Sequence, residues 1–384
     1  MDPNYDYKGK FKSISAKLKK RLLRKPNINE AIEEYTLLSK KLEEEECYGL
    51  AAVCLQQVSK VYHSVNNSIS ESGALQQAAH QYLNAEISTT IEAGIITFNE
   101  DLLSAISVYD EAIKLHCDKN ERQLAAKLCL EIGDILGVKF ERYFEAIPYY
   151  QRAISLFTYI SSNDALLVHV PIQSILVQLK LAAIHVVTCD YSNALSLYTE
   201  VCNAITNRMN NNYSSMAAGK MSKTSSKSQL NDNSSFNKYK DIDTISIHST
   251  TSNTSYTNSM FQGKSKLNGY LAQLLNEADI CKLLLLLYLK PNKLKQEHSN
   301  TLEVYSSFQT INTDSHPYLP ITCMDRDLFI LLQSFVMACQ SEDYQVLIEL
   351  QTELYKYLNN LQNFIVDLVT ENLIFCSPTD KLFI

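Results

Sequence analysis

Along the chain, apolar positions recur three and four residues apart, in stretches of twelve to twenty residues from Ile28 onward. That is the period of a helix with one buried stripe. No convincing alternation of apolar and polar residues, the period of a strand, occurs outside a polar segment at 207–268. Only 9 Gly and 8 Pro punctuate 384 residues, many of them between periodic segments, and this scarcity of turn formers favours helices. The pattern predicts an all-α chain.

Residues 1–10 are predicted to be a disordered N-terminus. From Phe11 to Lys25 one helix is expected, with Phe11, Ile14, Leu18 and Leu22 on a single stripe, and Pro26 ends it. Asn27, followed three residues later by Glu30, has the form of a capping box opening a second helix.

A short pattern then returns four times, as "AAHQYLNA" from Ala78, "AISVYDEA" from Ala105, "AIPYYQRA" from Ala146 and "ALSLYTEV" from Ala194. Each copy sets Ala, Tyr and a small or β-branched residue along one helix face: Ala78 and Tyr82, Ala105 and Tyr109, Ala146 and Tyr150, Ala194 and Tyr198. Small residues allow close approach and Tyr fills the neighbouring groove. Segments such as "LAAKLCLEIGDIL" (124–136) supply the partner helices of hairpins, a grammar that resembles tetratricopeptide-type repeats. The copies start 27, 41 and 48 residues apart, so the array is irregular and bundle-like alternatives stay open.

Ser, Thr and Asn fill about half of 207–268, too little apolar surface to offset ordering, so a disordered insertion is expected there. The predicted organisation is therefore helical-hairpin repeats over 11–206, the insertion over 207–268, a C-terminal helical block over 269–376 and a tail over 377–384.

The ten cysteines stand singly, without a CxxC pair, and read as small buried thiols in a reducing compartment. With no signal-type apolar segment at the start, a cytoplasmic or nuclear location is expected. "CKLLLLLYLK" (281–290) is far shorter than the ~20 apolar residues a bilayer needs, so it is expected to be a core helix and no transmembrane segment is predicted.

Enzyme motifs are poorly supported. "QGKS" (262–265) lacks the first glycine of a phosphate loop, with Asn258 in its place. His185 and Cys189 have no second ligand pair and read as a buried pair rather than a zinc site. His116 beside Cys117 shows no orienting third group, and core packing accounts for it better than a thiol nucleophile does. No catalytic residue, metal or cofactor is predicted, and the chain reads as non-enzymatic.

Charge is more informative. Residues 1–25 carry nine Lys or Arg against two Asp, net +7, whereas 291–384 carry a net −7. Lys17, Lys20, Arg21 and Arg24 face away from the apolar stripe and are candidate docking residues for an acidic partner surface. Import into the nucleus, a membrane surface, and plain solvation of a first capping helix compete with that assignment. Nucleic acid would want a larger basic face with aromatics and is not expected. Leu283, Leu284 and Leu287 are apolar partner-binding candidates, with core burial explaining them equally well.

In order along the chain, "SAKLKKRLLRKPNINEA", "CDYSNALSLYTEV", "LLLLLYLKP" with "EHSNTLEVYSSF", and "DLFILLQSFVMA" resemble the huntingtin-associated family encoded within an intron of the factor VIII gene in mammals. The resemblance implies a tetratricopeptide-like α-solenoid akin in shape to soluble NSF attachment proteins. It also implies a heterodimer with huntingtin, the chain lodging between that partner's helical-repeat arms and stabilising it, and an indirect link to an early-endosomal Rab GTPase. Family members carry a Pro-rich insert where this chain has Ser, Thr and Asn. The alternative is an independent vesicle-trafficking adaptor of the soluble NSF attachment protein type.

Overall fold

The structure, a computed structural model, describes residues 6–19, 27–163, 171–221, 266–291, 295–307 and 319–375. It is all-α, with no strand among the described residues. Contacts divide it into two compact units, Met1–Leu197 and Tyr198–Ile384. The first holds α1 (Tyr7–Leu18), α2 (Ile28–Glu44), α3 (Tyr48–Ser64), α4 (Ser68–Glu86), α5 (Glu100–Asp118), α6 (Arg122–Asp134), α7 (Tyr143–Asn163) and α8 (Ile172–Val187). The boundary falls within α9 (Tyr191–Met221). The second unit continues with α10 (Lys266–Leu289), α11 (Gln296–Ser306), α12 (Leu319–Cys323), α13 (Arg326–Ser341), α14 (Tyr344–Leu354) and α15 (Asn360–Phe375).

In the first unit each helix from α1 to α8 packs chiefly on its neighbours in sequence, the one-dimensional pattern of a tetratricopeptide-like solenoid. One turn recurs between helices. Glu46, Asn66, Asn120, Cys189 and Glu342 take the left-handed conformation, and the next residue's N–H reaches back five residues: Cys47 to Leu42, Asn67 to Tyr62, Glu121 to His116, Asp190 to His185, Asp343 to Ala338, all at 2.8–3.1 Å. This closes one helix while the same residue opens the next, as where Asn67 accepts the Ser70 N–H at 3.2 Å and Asp343 that of Val346. The connections after α4 and α6 differ. There the helix widens into a π turn, Ile87–Glu92 and Ile135–Lys139, before the chain reverses.

All eight repeat residues are buried. The tyrosine hydroxyls reach acceptors on an adjacent helix: Tyr82 donates to Gln56 (3.2 Å), Tyr109 to Glu131 (2.7 Å) and Tyr150 to Asp134 (2.7 Å). Burial, with the carboxylate beside each, pushes the Tyr109 and Tyr150 hydroxyls far above the ordinary tyrosine value. Each acid serves twice, Glu131 also meeting His80 at 2.8 Å and Asp134 meeting Lys180 at 2.7 Å, so one carboxylate ties three helices. Close approach comes from glycine: a Cβ on Gly133 would stand 3.2 Å from the Tyr150 ring. The four copies are not in phase, however. Three open hairpins as α5, α7 and α9, whereas α4 closes the hairpin begun by α3 and packs directly on α5.

Other boundaries move. α1 begins at Tyr7, inside the expected disordered start, because Asp6 accepts the Gly9 N–H at 2.7 Å, and it ends at Leu18 rather than Lys25. Asn27 makes no capping bond to the α2 backbone; its amide donates instead to Glu30. α9 runs to Met221, well into the expected insertion, and α10 starts at Lys266. Val201, Ile205 and Met209 continue the buried stripe of Tyr198 while Asn203, Asn207 and Asn210 are exposed, a polar content that masks a helix in a composition count.

Gly133→Val is expected to cost roughly 1–3 kcal/mol through overpacking. Gly73→Ala in α4, where an added Cβ meets nothing within 4 Å, is expected to stabilise by roughly 0.5–1 kcal/mol. Urea melts followed by circular dichroism measure both. The Glu131 carboxyl is held below its ordinary 4.5 by the His80 hydrogen bond and, secondarily, by Tyr109, against the effect of burial. Its ionised form is therefore favoured by folding, and that stability is complete above pH 4.5 and lost as pH falls through the lowered value. Glu131→Gln is expected to flatten the acid limb of a stability–pH profile.

Candidate partner-binding surface

The stripe on α1 seats Ile14 in the core against α2, where Phe11 meets the Tyr35 ring edge-on at 5.3 Å. That seating carries the basic side with it. Lys17 bonds Glu30 at 2.6 Å and Glu34 at 2.7 Å, and Lys10 bonds Glu34 at 3.1 Å. Those carboxylates raise the Lys17 pKa, chiefly through the Glu30 hydrogen bond. Lys17 is thus paired within the chain, clasping α1 to α2; Lys20, Arg21 and Arg24 lie outside the described residues. Beside it, exposed Lys8 and Lys12 flank an apolar groove of about 690 Å³ lined by Tyr7, Phe11, Leu38, Leu42 and Leu50.

Leu283, Leu284 and Leu287 are buried within the second unit, in keeping with the core alternative rather than a partner surface. α10 is apolar around most of its girth, so the chain itself covers it. Within that helix Lys282 and Asp279 are both buried and paired at 2.7 Å, and the Tyr305 hydroxyl donates to the other Asp279 oxygen at 3.0 Å. Tyr198 meets the Cys281 thiol, which burial pushes up to about 12.

His116 does have an orienting group. Its Nδ1 lies 2.7 Å from Glu121 and its Nε2 2.6 Å from the Ser72 hydroxyl, so α4, α5 and the start of α6 are joined in one relay. The Ser72 hydroxyl also accepts from Gln76 at 3.0 Å, and its amide sits inside α4, where helix bonding consumes it. The trio ties α4 to α5 and to the start of α6. His185 is buried, 3.1 Å from Asp190, but Cys189 is exposed, so the two do not form a buried pair. Among the described residues no cluster of His, Cys, Asp or Glu is placed to hold a metal, and no helix is long and apolar enough to cross a membrane. The segment "QGKS" lies outside the described residues.

A surface that the sequence reading did not single out follows from the two π-turn connections. Antiparallel alternation puts the C-terminal ends of α4, α6 and α8 on one edge of the first unit. Close approaches agree: a Cβ on Gly49, at the start of α3, would sit 3.4 Å from Asp101 of α5, and one on Gly137 would sit 3.4 Å from Ile184 of α8. On this edge Ile96 is 98% exposed, Phe98 89%, Phe144 78% and Val138 76%. The loop bearing the first two is held from beneath. Glu86, buried at the end of α4, accepts the Thr97 hydroxyl at 2.7 Å and the Leu102 N–H at 3.3 Å; the Asn99 N–H donates to Thr97 at 3.1 Å. The available signal was the run Ile95, Ile96, Thr97, Phe98 between Gly94 and Asn99, apolar but outside any helical period.

Residues 24–222, from just before α2 to one residue past α9, match the family described as soluble NSF attachment protein, SNAP. The chain is also 28% identical to the 40-kDa huntingtin-associated protein of Mus musculus over 98% of its length and 94% of that protein. The protein of that name from Rattus norvegicus is 29% identical over the same shares.

The buried pair on α10 makes a measurable prediction. Asp279→Ala, which removes the carboxylate that Lys282 pairs with, is expected to cost roughly 3–5 kcal/mol, whereas the double change Asp279→Leu with Lys282→Met is expected to cost far less. Chemical denaturation of the two variants separates these outcomes.

Proposed function

Because the chain belongs to the soluble NSF attachment protein family, an all-α group of tetratricopeptide-like solenoids, we propose that it acts as a non-enzymatic binding partner and stabilising subunit of huntingtin. The observation that carries this is the end-to-end similarity to the mouse and rat huntingtin-associated proteins, which extends through the second unit beyond the family match at 24–222. A solenoid of this kind offers extended faces to a large partner and needs no reaction centre. The proposal places the chain between the partner's helical-repeat arms, in cytoplasm and nucleus, with an early-endosomal Rab GTPase reached through that partner.

The family match favours a second reading, an independent adaptor in vesicle trafficking. The two differ in the state of the chain alone: a subunit depends on its partner for stability, whereas an adaptor purifies as a well-behaved monomer.

Co-expression of the tagged chain with full-length huntingtin from the same organism, followed by size-exclusion chromatography, tests the choice. Co-elution that survives about 1 M salt, where charges are screened within about 3 Å, is expected. A monomer that elutes apart from huntingtin would sink the first reading and leave the adaptor.

A further inference from the structure

Among the described residues of the first unit, the edge formed by the connections after α4 and α6 carries the two most exposed large apolar side chains, Ile96 and Phe98, and it is built to present them. A chain that merely had to reverse direction there has a tight turn available, since the same fold reverses after α2, α3, α5 and α8 with a single left-handed residue. After α4 it instead adds a π turn and a loop whose apolar side chains point to solvent while its polar atoms point inward to Glu86. Gly94 at φ +65° and Asn99 at φ 58° supply the two left-handed bends, and the Ile95 N–H closes on Thr89 at 3.0 Å. The loop is thus pre-organised, and the ordering entropy that a flexible apolar loop loses on binding has already been spent in folding.

Charge around the edge selects the occupant. Glu92, Glu100 and Glu141 are exposed beside these apolar residues, and Asp101 stands half-buried among them. Lys139 opposes them, while Arg142 is occupied by Glu145 at 3.1 Å. An acidic rim repels an anionic lipid surface and suits a protein segment whose apolar face is bordered by Lys or Arg. We propose that Ile96, Phe98, Val138 and Phe144 form the docking face for an amphipathic helix of the huntingtin partner, one with an apolar stripe flanked by basic residues. This assignment rests on the partner reading of the preceding subsection.

The test compares the full chain with Ile96→Ser/Phe98→Ser and with Phe144→Ser, each co-expressed with huntingtin and then measured for binding. Because these side chains are solvent-exposed, melting midpoints should match the unmodified chain. Affinity should fall roughly thirty-fold or more for the double change and about tenfold for the single one. Glu92→Lys/Glu100→Lys should slow association about tenfold at low salt and leave the high-salt rate unchanged. If the unmodified chain fails to bind huntingtin, the partner reading falls and the docking assignment falls with it. If it binds and the serine variants bind within twofold of it, the partner reading stands and the docking assignment is overturned. Flotation of the unmodified chain with phosphatidylcholine or phosphatidylserine vesicles, lost in the double variant, would also overturn it in favour of a lipid surface.

Discussion

The first unit depends on one arrangement, repeated with variation: a buried tyrosine whose hydroxyl is handed to an acceptor on an adjacent helix. At Gly133 and Tyr150 the fit leaves no space for a methyl group without displacement. A ring alone would allow the helices to slide; a hydroxyl aimed at Asp134 does not. Because Asp134 also holds Lys180 of α8, the register of one hairpin is passed to the next. Apolar area supplies the attraction and the carboxylates supply the alignment, a division that suits an array whose members meet chiefly their neighbours.

The second unit handles buried polarity differently. Asp279 and Lys282 lie on one helix among leucines, so their pairing is local and adds no contact of its own between helices. The Tyr305 hydroxyl from α11 links the pair outward. Here a long apolar helix carries its own charge pair into the core, and a tyrosine again couples it to a neighbour.

Much of this was legible in the amino-acid sequence. Period, small-residue spacing and the fourfold Ala–Tyr pattern are local properties of helices, and they pointed to buried faces without coordinates. What was not legible depended on partners distant in the chain. Lys17 looks like a free charge until α2 brings Glu30 and Glu34 beneath it. The leucines of α10 look equally fit for a partner or a core, since the two burials have the same composition. The relay through His116 needs Ser72, 44 residues away. The apolar edge lies between periodic segments, where a search for amphipathic helices does not look.

The left-handed turn after α8 sets Cys189 outward, whereas Cys54, Cys129, Cys202, Cys281 and Cys339 are buried. Burial pushes the thiols of Cys54, Cys129 and Cys202 up to about 12, which leaves them weak nucleophiles at neutral pH. Cys189 therefore offers a native attachment point for a maleimide dye. It stands on the edge that carries Phe144 and Ile96, so its fluorescence would act as a built-in gauge of whether that edge is covered.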